Sequence, residues 1–192
     1  MNKIILSVLL ILGTFGPLQA DFCMSLEGTT IEARVAGLFP SGGLFREIYG
    51  DCIDCYEIEA STPIYGCFDA WANIDWMSQL GGQTRDTRFT RISIVNLSFG
   101  LKYPYMLSDN LIAYVGIGPS FGIIRVHNEL SNSHRNAMRV AVGGVFKTGL
   151  QYYANEHLFF DLFFDYLYQP SQFNTHADVG GSKLGLGVGY RF

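Results

Sequence analysis

From residue 30 onward the chain alternates apolar and polar side chains with a period of two, in eight separate segments. Successive side chains on a β-strand point to opposite faces, so strict alternation marks a strand with one apolar and one polar face. Segment 30–39 sets Ile31, Ala33 and Val35 against Thr30, Glu32 and Arg34, and segment 56–62 sets Tyr56, Ile58 and Ala60 against Glu57, Glu59 and Ser61. Segment 68–76 opposes Ala70, Ala72, Ile74 and Trp76 to Asp69, Asn73 and Asp75. Segment 90–103 opens with Ile92 and Ile94 on one parity and continues with Val95, Leu97, Phe99, Leu101 and Tyr103 on the other. A one-residue slip flips the faces of a strand, so a β-bulge is predicted near Ile94 and Val95. Segments 111–123, 139–152, 157–168 and 183–192 complete the set. The last of these reads KLGLGVGYRF, with Leu184, Leu186, Val188, Tyr190 and Phe192 on one face.

The connections alternate in length. Short ones fall at 63–67, 104–110 and 153–156, and long ones at 40–55, 78–89, 126–137 and 169–181. An up-and-down antiparallel meander gives this pattern when its two ends face different surroundings. Pro40, Pro63, Pro104 and Pro170 sit at predicted strand ends, where proline costs no ladder bond. Pro119 falls inside the fifth segment, where a proline argues against a central strand.

Alternation does not say which face is inside. Three features place the apolar face outward, against lipid. The segments run about nine to eleven residues, the length of a tilted membrane-crossing strand. The polar face is rich in Gly and Ser while the apolar face is crowded with aromatics, the reverse of a water-soluble exterior. Phe39, Trp76, Tyr103, Tyr152, Tyr166, Tyr168, Tyr190 and Phe192 gather toward segment ends, as interfacial girdles do. The alternative is an ordinary soluble β-core holding the same aromatics. The predicted fold class is therefore all-β, an eight-stranded antiparallel up-and-down transmembrane β-barrel.

This orientation turns the charges into the lumen. The inward acids are Glu32, Glu57, Glu59, Asp69, Asp75, Asp161 and Asp165; the inward bases are Arg34, Lys102, Arg139, Lys147, Lys183 and Arg191. Turned outward at mid-membrane, each base would cost about 2–4 kcal/mol. An eight-stranded barrel is just wide enough for side chains to fill it, so these near-balanced charges are expected to form an ion-pair network that plugs the lumen. Asp161 and Asp165 are expected to pair with Lys183 and Arg191 on the adjacent last strand.

Composition sharpens the class. The 192-residue chain is 48% hydrophobic and 16% charged, with 11 Tyr and 15 Phe, yet no internal apolar run is long enough for a transmembrane helix. Its net charge of −4 argues against a nucleic-acid partner. Residues 1–20 carry Lys3, an apolar run and a Gly/Pro break before Ala20, the pattern of a cleaved secretory signal; residues 21–192 form the barrel domain.

The signal segment, the eight alternating strands, the short turns at one end and the final Tyr190-Arg191-Phe192 together resemble the small outer-membrane β-barrels of Gram-negative bacteria. That group includes the OmpA transmembrane domain, OmpX/Ail and OmpW. The segments LFREIYG and YEIEASTPIYG also resemble barrels of chlamydia-like bacteria. The resemblance implies a place in the bacterial outer membrane, both termini in the periplasm and the four long connections outside. It implies contacts with outer-membrane lipids, and with host or envelope partners through the outer loops. It also implies that Leu186, Val188, Tyr190 and Phe192 are the signal read by the barrel-assembly machinery, the last strand closing against the first. Unlike the full-length OmpA pattern, no peptidoglycan-binding domain is expected after the barrel, and anchoring to the cell wall is not expected.

Cys23, Cys52, Cys55 and Cys67 lie in an oxidising compartment on this placement and allow three pairings. The topology favours Cys23–Cys67 with Cys52–Cys55; cross-linking between molecules is the rival. The Cys-x-x-Cys at Cys52 and Cys55 lacks a second pair at zinc spacing and a βαβ context, so neither metal nor redox chemistry is expected. His127, His134 and His176 fall in outer connections as polar loop residues. The nearest candidates for a nucleophile and base, His127 with Ser131 or Ser133 with His134, have only Glu129 close by, so no catalytic site and no cofactor is expected. The glycine-rich GIGPSFG at 116–122 lacks the Lys-Ser/Thr of a phosphate loop, and its inward glycines make room for Tyr114 and other lumen side chains. The leading expectation is a structural, surface-exposed membrane barrel. A narrow channel for small or apolar solutes is second, and a lipid-modifying enzyme third.

Overall fold

The computed structural model describes residues 27–81, 90–128, 137–173 and 175–192. Eight strands close into one antiparallel barrel: β1 (Thr30–Pro40), β2 (Ile53–Tyr65), β3 (Phe68–Gly81), β4 (Thr90–Ser108), β5 (Leu111–Asn128), β6 (Ala137–Tyr153), β7 (Leu158–Tyr168) and β10 (Gly181–Arg191). Each barrel strand pairs with its neighbour in the sequence, and β10 closes on β1 with Thr30 opposite Arg191 and Pro40 opposite Gly181. A two-stranded hairpin, β8 (Pro170–Phe173) and β9 (Thr175–Asp178), and a seven-residue helix, α1 (Gly43–Tyr49), stand outside the ladder.

The faces divide as the alternation requires. Ile31, Val35, Ile58, Ile74, Leu97, Phe99, Phe121, Leu162 and Leu186 stand exposed on the outer wall, whereas Glu32, Arg34, Glu57, Glu59, Asp75, Lys147 and Asp161 are buried within. The outer wall is an apolar belt with paired aromatics toward its edges: Tyr56 stacked on Trp76 at 5.6 Å toward one end, Phe68 tilted against Tyr103 at 5.6 Å toward the other. Such an exterior is stable only against hydrocarbon. Among the described residues no helix is long and apolar enough to cross a membrane.

Both ends of the described chain, together with the β2–β3, β4–β5 and β6–β7 turns, lie at what is called here the near end. The seam is bonded past the last strand residue: Phe192 N donates to Thr29 O at 2.9 Å and Gly28 N donates to Phe192 O at 2.8 Å. At the far end, α1 in the β1–β2 connection and the β8–β9 hairpin in the β7–β10 connection lie against one another. The α1 helix sends Phe45 and Tyr49 into the mouth.

Three expectations are corrected. No bulge occurs at Ile94 and Val95, which pair without a shift with Met77 and Trp76. Ile92 and Ile94 simply point inward, because the far third of the lumen is apolar: Leu38, Ile53, Met77, Ile124, Phe163 and Val179 pack there beneath Phe45 and Tyr49. Register shifts fall instead at Pro63/Tyr65 and at Met106/Ser108, beside near-end turns. Several strands are also longer than the alternation suggested, β4 and β5 reaching 19 and 18 residues. Pro119 does sit within a central strand, facing outward opposite Gly144.

Candidate functional site

The lumen beneath the apolar cap holds a continuous charged layer centred on Arg34. From β1, its guanidinium reaches Glu32 on the same strand at 2.9 Å, Glu59 of β2 at 3.0 Å and Asp161 of β7 at 2.6 Å, with Asp165 at 3.8 Å. Tyr114 of β5 completes the cluster, its hydroxyl accepting from Arg34 at 2.9 Å and donating to Asp161 at 2.8 Å. The guanidinium also lies over the Phe163 ring, 4.5 Å from its centroid. One side chain thus ties together strands from opposite walls. The alternation put Arg34 on the inner face, and the narrow bore lets it span the rest.

Three lysines surround this centre. Lys147 of β6 bridges Glu59 at 2.6 Å and Asp165 at 3.0 Å and lies over Trp71. Lys102 of β4 joins Glu59 at 3.2 Å and donates to Ser61 Oγ at 3.1 Å. Lys183 of β10 joins Glu57 at 2.8 Å and Asp75 at 2.6 Å. Neutral donors complete the acids: Asn96 donates to Asp75 at 2.7 Å and Asn73 donates to Glu57 at 3.2 Å. Every one of these charges is buried, a costly state unless each is paired and hydrogen-bonded.

Packing leaves no slack. A Cβ added at Gly187, the position opposite Asp161, would overlap the Glu32 carboxylate. A Cβ at Gly149 would come within 2.6 Å of the Tyr114 hydroxyl, so the residue making room for Tyr114 lies in β6 rather than in the 116–122 glycine run. Gly122 of that run instead gives space to Asn96 and Gln169.

Two descriptions of known proteins find no counterpart: no family model matches the chain, and no curated protein matches its sequence. Solved structures do match. Neisserial surface protein A superposes with a TM-score of 0.66 at 18% identity, over 86% of this chain and 98% of that one. OprG, an outer membrane protein from Pseudomonas aeruginosa, gives 0.63 at 13% identity over 86% and 96%. The attachment invasion locus protein Ail of Yersinia pestis, in complex with the heparin analogue sucrose octasulfate, gives 0.59 at 15% identity over 86% and 99%. The fold is that of the small outer-membrane β-barrels.

Within this outer-membrane barrel fold, the thirteen residues assigned to the lumen network do not all meet. Glu32, Arg34, Glu57, Glu59, Asp75, Lys102, Lys147, Asp161, Asp165 and Lys183 are brought together. Asp69 is only half-buried near the near end, within the field of Lys102 and Arg191. Arg191 is exposed there over Tyr153, and Arg139 is exposed at the far end of β6. The buried set is accordingly six acids and four bases, more acidic than the near balance expected from the alternation.

The expected partners of Asp161 and Asp165 are also corrected. Lys183 stands opposite Asp165 in register, but its ammonium turns across β1 to Glu57 and Asp75. Asp165 is taken by Lys147, its opposite neighbour on β6, and Asp161 by Arg34. Arg191 lies four residues beyond Gly187, the register partner of Asp161, which is about 13 Å along the strand. Tyr114, Asn73 and Asn96 were missed as members; their inward parity on β5, β3 and β4 was the available signal.

The cysteine pairing is corrected in part. Cys52, Cys55 and Cys67 are free thiols. Cys55 is buried inside the lumen beside Glu57, whereas Cys52 lies exposed against the outward side of Gly37. The two thiols therefore lie apart, one exposed outside the wall just before β2 and one buried inside it, and Cys52 is not bonded to Cys55. Cys67 is exposed in the β2–β3 turn, and Cys23 lies outside the described residues. So do Glu129, Ser131, Ser133 and His134. Leu186, Val188, Tyr190 and Phe192 all face outward and exposed along the β10 wall.

Proposed function

We propose that this protein is an integral outer-membrane barrel with a closed lumen, whose role is structural and surface-interactive. On this proposal residues 1–20 are removed as a signal segment and residues 21–192 are inserted by the barrel-assembly machinery, which reads Leu186, Val188, Tyr190 and Phe192. The near end then faces the periplasm, and the far end presents α1, the β8–β9 hairpin and the remaining long connections to the outside.

A single observation carries the closed-lumen assignment: Arg34 bridges opposite walls beneath a packed apolar cap formed around Phe45 and Tyr49. A hydrated ion would have to break several buried ion pairs and also open the cap. The similarity in fold to Ail and to Neisserial surface protein A supports contacts made through the far end. Planar-bilayer recording tests the proposal: the reconstituted protein is expected to give no steady conductance, and sustained openings would overturn the closed lumen. Heat-modifiable migration from outer-membrane fractions, with far-end loops cut by protease on intact cells, is expected for the placement. The role involves no catalytic step, and mass analysis of membrane lipids with and without the protein is expected to show identical species.

A further inference from the structure

The charged layer divides into two groups, and among the described residues each holds one more acid than base. Around Arg34, the acids Glu32, Glu59, Asp161 and Asp165 meet the bases Arg34, Lys102 and Lys147. Beside them, Glu57 of β2 and Asp75 of β3 stand directly opposite one another in register. These two carboxylates share a single described cation, the Lys183 ammonium, at 2.8 and 2.6 Å. Like charges facing each other across a strand pair are destabilising, and both of these are buried, where uncompensated charge is costliest.

Two amides close on this smaller group. Asn73 Nδ2 donates to Glu57 at 3.2 Å, and Asn96 Nδ2 donates to Asp75 at 2.7 Å. Turning either amide over would set its oxygen against a carboxylate, so these bonds fix both orientations. Asn73 is 4% exposed and Asn96 0%, yet the Oδ1 of each has no hydrogen-bond partner among the described residues. Asn73 lies two residues from Asp75 on the inner face of β3, so its unpaired carbonyl borders the same two carboxylates. A buried acceptor without a partner calls for a cause. A water would partner the carbonyls and leave the charge unbalanced. A proton would balance the charge but, held on one carboxylate, serves one acceptor only. A cation does both.

We propose that this cluster binds one monovalent alkali cation, sodium in the test below, through the Glu57 and Asp75 carboxylates and the Asn73 carbonyl oxygen. Carboxylate and carbonyl oxygens suit hard cations, and an ionised carboxylate keeps acceptor sites beyond those its ammonium and amide partners use. A surplus of one acid matches a monovalent ion. Among the described residues no three His, Cys or acidic side chains converge as a chelated divalent ion would need. The apolar cap and the ion pairs enclose the lumen, so the ion is taken up as the barrel folds and stays in place. The inference rests on the closed lumen proposed above, whose own failure shows as conductance rather than as dependence on the cation.

The full chain is refolded into phosphatidylcholine vesicles in lithium, sodium, potassium or N-methyl-D-glucamine chloride, at one pH and one ionic strength, and titrated with urea. Screening treats these cations alike, whereas a liganded site ranks them. With sodium at about ten times its dissociation constant, the midpoint is expected to stand about 0.7 M above that in N-methyl-D-glucamine. D75N removes the surplus charge and is expected to abolish the difference. N73A keeps every charge and is expected to reduce it, so the test survives if D75N does not fold. Desalted wild-type barrel is expected to retain one equivalent of sodium by atomic emission and to release it on unfolding. Equal midpoints in all four salts, or a sodium shift unaltered in both variants, overturns the site. A midpoint that follows pH but not the choice of cation assigns the missing charge to a proton and overturns it as well.

Discussion

Replacing Arg34 with Met keeps a long side chain in the lumen and removes its charge. The side chain holds Glu32, Glu59 and Asp161 at 2.6–3.0 Å, with Asp165 farther out. Removing one partner of a buried ion pair costs about 3–5 kcal/mol, since the remaining charge stays buried and uncompensated. Lys147 and Lys102 still neutralise Glu59, but among the described residues Glu32 and Asp161 have no other cation within bonding distance. The loss is therefore expected at the upper part of that range, about 4–5 kcal/mol. At a denaturant slope of about 2 kcal/mol/M, the urea midpoint of the reconstituted barrel drops by about 2 M. The measurement is urea titration followed by the shift between folded and unfolded bands on gels. In R34M/D161N the second substitution removes one of the stranded charges, so the two changes are expected to be non-additive by about 1–3 kcal/mol. A midpoint within about 0.5 M of wild type, or strict additivity with D161N, would refute the view that Arg34 organises the lumen.

Gly187→Ala pushes a methyl group into the Glu32 carboxylate and is expected to cost about 1–3 kcal/mol, read by the same titration. Phe45→Ala empties the centre of the far-end cap; protease cleavage within residues 41–52 should accelerate while the folded band persists, because α1 lies outside the ladder. A membrane-impermeant maleimide should label Cys52 in the folded barrel and reach Cys55 only after denaturation, as their opposite faces demand. Labelling of both at equal rates would contradict the strand register around Gly37.

The number of strands, their order and the facing of nearly every barrel side chain were legible because one rule, alternation, carries all of them. Glu59, Lys147 and Asp161 could be assigned to the lumen on parity alone. Which acid meets which base was not legible, because partners across a narrow bore depend on the stagger of strands far apart in sequence. Lys183 illustrates this: its register neighbour is Asp165, yet it bonds residues on β2 and β3. The false bulge at Ile94 arose from assuming that an inward side chain must be polar. That assumption holds at the level of Asn96 and Ser98 but fails near the cap, where protein rather than water fills the bore. The helix α1 escaped notice because seven residues are too few to display a helical period.

The bonds joining Thr29 and Gly28 to Phe192 have a consequence for how the molecule is made. Until β10 arrives, the nascent sheet has two bare edges and a sticky exterior, and in water such an intermediate would recruit copies of itself. Zippering of the first strand to the last is the slowest contact to find and the one that ends this hazard. Joining β10 to β1 leaves neither edge of the barrel sheet bare and so removes that hazard.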